Sequence, residues 1–94
     1  MEIGVLTLQL HLHEAESLKD KRRVIRSLTG RVRSRHNVAV AEVDHQDVWQ
    51  RAALGIVAIS TTAAHVEQQL AAVADEIDRV EPGLVTRTEV EFLA

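Results

Sequence analysis

Cysteine is absent from these 94 residues, which excludes a disulfide framework and thiolate metal sites and fits a reducing compartment. Tyrosine is absent as well, and the whole aromatic complement is one phenylalanine and one tryptophan. With one proline and four glycines, the chain has no linker or low-complexity tract and reads as a single domain over residues 1–94. No apolar run approaches the roughly 20 residues that a membrane span requires. Glu2 stands where the basic start of an export signal would fall, so a cytoplasmic protein without membrane attachment is expected.

What is present in excess is local positive charge. Ser17 to Arg35 holds eight of the eleven basic residues, Lys19, Lys21, Arg22, Arg23, Arg26, Arg31, Arg33 and Arg35, against one acid, Asp20, a local charge of +7. The other 75 residues carry three basic side chains and thirteen acids, a charge of −10. The net charge of −3 therefore conceals a strongly polarised molecule, and this polarity is the main functional signal.

Apolar periodicity supplies the fold. From Ile3 to His13, Leu6, Leu8, Leu10 and Leu12 alternate with Ile3, Val5, Thr7, Gln9, His11 and His13, the period of a strand with one strongly buried face. Glu14-Ala15-Glu16 connects it to a helix opening at Leu18, announced by Ser17 with Asp20 three positions on. Leu18, Lys21, Ile25, Leu28 and Val32 recur on one side of that helix, where Lys21 is expected to lie on its aliphatic stem with its ammonium in water. Lys19, Arg23, Arg26, Gly30 and Arg33 form the opposite stripe. Val38–Val43 reads as a second strand, Asp44–Asp47 as a turn, and 50–60 as a third strand that is apolar on both faces. Such a strand is either covered on both sides or meets a partner on its open one.

Thr61 or Thr62 caps a second helix, in which Ala63, Val66, Leu70, Val73, Ile77 and Val80 repeat at steps of three and four. Glu81-Pro82-Gly83 ends it. Residues 84–93 form a last strand with Leu84, Val90 and Phe92 inward and Arg87, Glu89 and Glu91 outward. The order βαββαβ predicts an α+β, ferredoxin-like sandwich, a four-stranded antiparallel sheet in the order 4-1-3-2 with both helices on one face.

Ser17-Leu18-Lys19-Asp20-Lys21-Arg22-Arg23, with Asn37-Val38, Ala41-Glu42-Val43-Asp44 and Trp49-Gln50-Arg51-Ala52, resembles the YlxP-like family of small bacterial proteins, whose biochemical function is unassigned. The resemblance covers nearly the whole chain. It implies the ferredoxin-like fold and, through gene neighbourhood, an association with translation initiation and maturation of the small ribosomal subunit. It supplies no catalytic residues.

Cations in the first turns of a helix oppose the positive end of its dipole, and local choices that oppose stability mark functional positions. Lys19, Lys21, Arg22, Arg23, Arg26 and Arg33 are accordingly the expected contacts to RNA phosphates, with ribosomal RNA or the small ribosomal subunit as partner. The competing explanation is intramolecular: Glu67, Asp75, Glu76, Asp78 and Glu81 of the second helix compensate the first. Gly30, between Arg26 and Arg33, is either a site of close approach by a partner backbone or a tolerated surface glycine. An RNA-recognition sheet would stack bases on aromatic residues in its central strands, which have none here, so backbone and shape contacts are expected instead.

A second functional reading is self-association or an adaptor role, with Ile3, Val5, Trp49, Val57 and Ile59 as the interface and a homodimer as one product. His11 and His13 have a spacing that a metal ion can bridge, but no third ligand adjoins them, and no metal or other cofactor is expected. Glu42 and Asp44 read as solvated strand charges. An acylphosphatase-like enzyme would need a phosphate-cradling loop with arginine where Glu14 and Glu16 stand. No catalytic constellation is evident and an enzyme is not expected.

Overall fold

The computed structural model describes residues 1–94 and has the elements β1 (Glu2–His11), α1 (Leu18–Arg35), β2 (Ala39–Asp44), β3 (Arg51–Ser60), α2 (Ala63–Val80) and β4 (Val85–Phe92). The sheet is antiparallel in the order β2-β3-β1-β4. This is the ferredoxin-like α+β arrangement expected from the pattern of the chain.

Period-two burial decides which face of the sheet meets the helices. Leu6, Leu8 and Leu10 of β1 pair with Ile56, Leu54 and Ala52 of β3, and all six are at most 2% exposed. Ile25, Leu28 and Val32 from α1 and Val66, Leu70, Val73 and Ile77 from α2 close the same core. Gly4 lies on this face where α2 comes nearest: a Cβ there would stand 2.6 Å from Val66 Cγ1 and 3.2 Å from Leu70 Cδ1. Glycine at this position sets how closely the helix seats on the sheet.

The helix ends follow local chemistry. Ser17 caps α1, its hydroxyl accepting from Asp20 N at 3.1 Å, while the Asp20 carboxylate accepts from Glu16 N rather than from the cap itself. Thr62, not Thr61, caps α2 and accepts from His65 N. After α2, Gly83 takes the left-handed conformation at φ 81° and turns the chain into β4.

Two expectations change. β1 ends at His11 rather than His13. Val90 and Phe92 do share the helix side of the sheet, since they pair with Leu6 and Gly4, yet they are 52% and 37% exposed. The reason is placement: α2 packs on β1 and β3 and α1 on β2, so the edge strand β4 lies beyond the helical layer. A shallow groove between α2 and β4 remains, lined by Leu6, Leu70, Ala74 and Val90 among others. No helix is long and apolar enough to cross a membrane.

Candidate nucleic-acid interface

At 100° per residue, Lys19, Arg22, Arg23, Arg26, Gly30 and Arg33 of α1 occupy an arc of about 100° and a length of about 21 Å. All six are exposed. Lys19, Arg22, Arg23 and Arg26 have no acidic partner within ion-pair distance. Arg33 stands at the far end of the stripe, where its Nη2 donates to Val40 O at 2.9 Å. That contact uses one of five guanidinium donors and leaves the charge at the surface.

Lys21 does not belong to this surface. It is 1% exposed, with Nζ 2.8 Å from Glu42 Oε2 and donating to Val48 O at 2.7 Å and His45 O at 2.5 Å. A buried ammonium is tolerated only when paired and hydrogen-bonded, and this one spends its donors on the β2–β3 connection. The expectation of a stem with its charge in water, and of a phosphate contact, is therefore corrected. Glu42 is corrected with it. It shares the helix-facing side of β2 with Val40, being paired to Leu54 as Val40 is to Ile56, and is an ion-pair partner rather than a solvated charge. Asp44 has a local role, accepting from the N–H of His45, which holds a left-handed φ of 62° in the turn.

The remaining cations of the run are compensated inside the molecule, by one acid. Glu76, 4% exposed, receives Arg31 Nε at 2.6 Å, Arg35 Nε at 3.4 Å and His36 Nε2 at 2.5 Å. Glu67, Asp75, Asp78 and Glu81 pair with no basic residue of α1. The basic run is thus divided by helix face. One flank is tied to α2, one residue is buried under the hairpin, and the outer stripe keeps its charge unpaired.

The hydrogen bond from His36 is the leading reason that the Glu76 carboxyl is held below the ordinary value of 4.5; burial opposes it, and Arg31 and Arg35 reinforce it. A depressed folded-state pKa gives stability that is complete above about pH 4.5 and lost as pH falls through the folded value. Glu76→Gln should accordingly cost about 2 kcal/mol at pH 7, where charged hydrogen bonds are lost. Its deficit in urea-melt midpoint relative to wild type should shrink between pH 5 and pH 3. A deficit of constant size across that range would assign it to packing alone.

Gly30 has nothing within 4 Å of the place a Cβ would occupy, so no packing within the chain requires it. Gly30→Ala should raise stability by about 0.5–1 kcal/mol in thermal or chemical denaturation.

The expected interface set divides in two. On the open face Ile3 pairs with Ile59 and Val5 with Val57, and Val57 and Ile59 are 39% and 51% exposed. Trp49 is also exposed, at 48%, but it precedes β3 at the opposite end of the sheet, about 30 Å along the strand from Ile59. The two belong to different surfaces. His11 and His13 have ring centroids 4.0 Å apart and border a cleft of about 640 Å³ shared with Glu14, Asp20, Arg23 and Glu81. No group of three potential ligands converges there or elsewhere.

These features define a small ferredoxin-like domain with one unpaired cationic helix face and one uncovered sheet face. The chain belongs to the family described as "Protein of unknown function (DUF503)", which matches residues 3–90. It is 37% identical over 90 residues to "Uncharacterized protein YlxP" of Bacillus subtilis (strain 168), an alignment that covers 93% of this chain and 97% of that protein. Membership fixes kinship and agrees with the resemblance carried by Ser17–Arg23; it assigns no reaction, partner or site.

Proposed function

We propose that this protein is a non-enzymatic RNA-binding protein that contacts phosphates through Lys19, Arg22, Arg23 and Arg26, with Arg33 at the end of the stripe. The observation that carries the reading is selective neutralisation. The fold provides counter-charges for Lys21, Arg31 and Arg35 and leaves four cations unpaired on one helix face. An unpaired stripe of one sign gains little for stability and much for attraction of a polyanion. The gene neighbourhood implied by the family resemblance points to ribosomal RNA and the small ribosomal subunit as the RNA, and to a cytoplasmic role in translation or ribosome maturation. The test is binding of ribosomal RNA and small subunits as a function of salt, with a charge-reversed variant.

A second reading has its own observation, the exposure of Val43, Val57 and Ile59 on the open face. Strands of 10, 6, 10 and 8 residues, spaced by about 4.8 Å and rising about 3.4 Å per residue, give a face of roughly 550 Å². Two copies packed face to face would bury about 1,100 Å², just above the roughly 1,000 Å² that a biological interface must clear. In this reading the protein is a homodimer through its sheet, and the RNA stripe lies on the outer surface of each copy. Sedimentation equilibrium should show a dimer at micromolar concentration that Ile59→Arg dissociates; a wild type that is monomeric up to millimolar concentration removes this reading.

A further inference from the structure

The β2–β3 connection is held far more firmly than an exposed turn requires. Beneath it, Lys21 Nζ binds His45 O and Val48 O. Within it, Val48 N donates to His45 O at 3.0 Å and His45 N to Asp44 Oδ1 at 2.8 Å. At its exit, Leu12 N donates to Gln50 O at 2.8 Å and Gln50 Nε2 to Ala15 O at 3.4 Å. A buried charge is a costly way to fix a turn, and what it fixes is an exposed pair, Val48 at 43% and Trp49 at 48%. The sole tryptophan of the chain is thus displayed in solvent on a backbone clamped from both sides of its own position.

The clamp also sets where the indole stands. Lys21 leaves the first turns of α1 on the side opposite the stripe, so the hairpin lies across the N-terminal end of the helix from Lys19 and Arg22, one helix diameter, roughly 10 Å, away. Arg51, exposed and two residues beyond Trp49, adds a further cation at this end. We infer that Trp49 is a stacking platform for an unpaired base of single-stranded RNA whose phosphates lie on Lys19, Arg22, Arg23 and Arg26. This rests on the proposed RNA-binding reading and adds the kind of RNA. Bases of a duplex are stacked on one another and have no free face, whereas an unpaired base accepts an aromatic ring without regard to sequence. The ring stands on the hairpin, outside the sheet face, which accounts for a binding surface of this topology with no aromatic residue in its central strands. A second protein is the other class of partner that an exposed tryptophan attracts. The hairpin itself carries Asp44 and Asp47 beside Arg51, so it is the unpaired stripe of α1, across the helix end, that favours the polyanion.

Trp49 is its own reporter. Titration with oligo(A) at low salt should quench its emission, and a duplex RNA of equal length should bind with little quenching. Trp49→Ala should weaken oligo(A) binding about tenfold and leave duplex affinity unchanged, while Trp49→Phe retains most of the affinity and controls for loss of fold. If oligo(A) binds with no quenching and Trp49→Ala has wild-type affinity, the stacking platform is overturned and the phosphate stripe stands. If neither RNA binds at low salt, both fall. If the emission shifts to the blue with rising protein concentration and is insensitive to RNA, the hairpin is a contact between protein chains and the inference is likewise overturned.

Discussion

Lys21→Met should destabilise the protein by about 3 kcal/mol at pH 7, the range found when one member of a buried ion pair is removed. Methionine fills most of the volume, so the cost is electrostatic. The Glu42 carboxylate, 20% exposed, is left without its counter-ion, and the carbonyls of His45 and Val48 lose their donor. In a domain of this size the loss lowers Tm by roughly 15 °C. Glu42→Leu alone should also destabilise, by stranding the ammonium, whereas the Lys21→Met, Glu42→Leu pair should recover part of the loss because no buried charge remains unpaired. The measurement is a double-mutant cycle by urea denaturation. Strict additivity of the two changes would mean that the pair is not coupled and that Lys21 acts through packing.

The second large effect concerns binding. Four phosphate contacts to a single strand give a slope of about −3 in log K against log salt, so affinity should fall about 50-fold between 50 and 200 mM salt. Arg23→Glu with Arg26→Glu removes two contacts and adds two repulsions on the same face. At low salt it should weaken binding of ribosomal RNA by about 30-fold or more and halve the slope. Both side chains are exposed and unpaired, so the variant should melt within about 1 kcal/mol of wild type. Wild-type binding that hardly changes with salt, or a folded variant with undiminished affinity, would turn attention to the uncovered sheet face.

The fold was legible because each element is periodic over its full length: Leu6 to Leu12 at period two, Ile25 to Val32 and Val66 to Ile77 at helical steps. The coverage of β4 was not. Val90 and Phe92 obey the correct parity, but where the helical layer stops depends on how α2 seats over β1 and Gly4, a distance that no local pattern contains. The stripe was legible as a helix face, and its division was not. Lys21 sits in the apolar series of α1 like any snorkelling lysine, and the groups that bury it lie 24 and 27 residues away. A clue did exist in β2, where Glu42 takes the parity of buried Val40, so an acid there needs a base. Glu76 was one of five equivalent acids until the packing of the helices selected it, although its position three residues after Val73 places it beside the buried face of α2. From the sequence Trp49 and Ile59 read as parts of one interface, and their separation required the strand register.

The segregation of charge also has a kinetic meaning. A body with a net charge of −3 is repelled on average by a polyanion, yet its field is far from uniform. As it approaches nucleic acid, the acidic bulk is pushed away while α1 is drawn in, and the resulting torque turns the molecule before contact. Collisions in the wrong orientation are short-lived and those led by the helix are prolonged. On the RNA-binding reading proposed above, the acids that offer nothing to the stripe energetically would act as its rudder, making the protein a poor general adhesive for RNA and a fast, oriented one for whatever fits that single face.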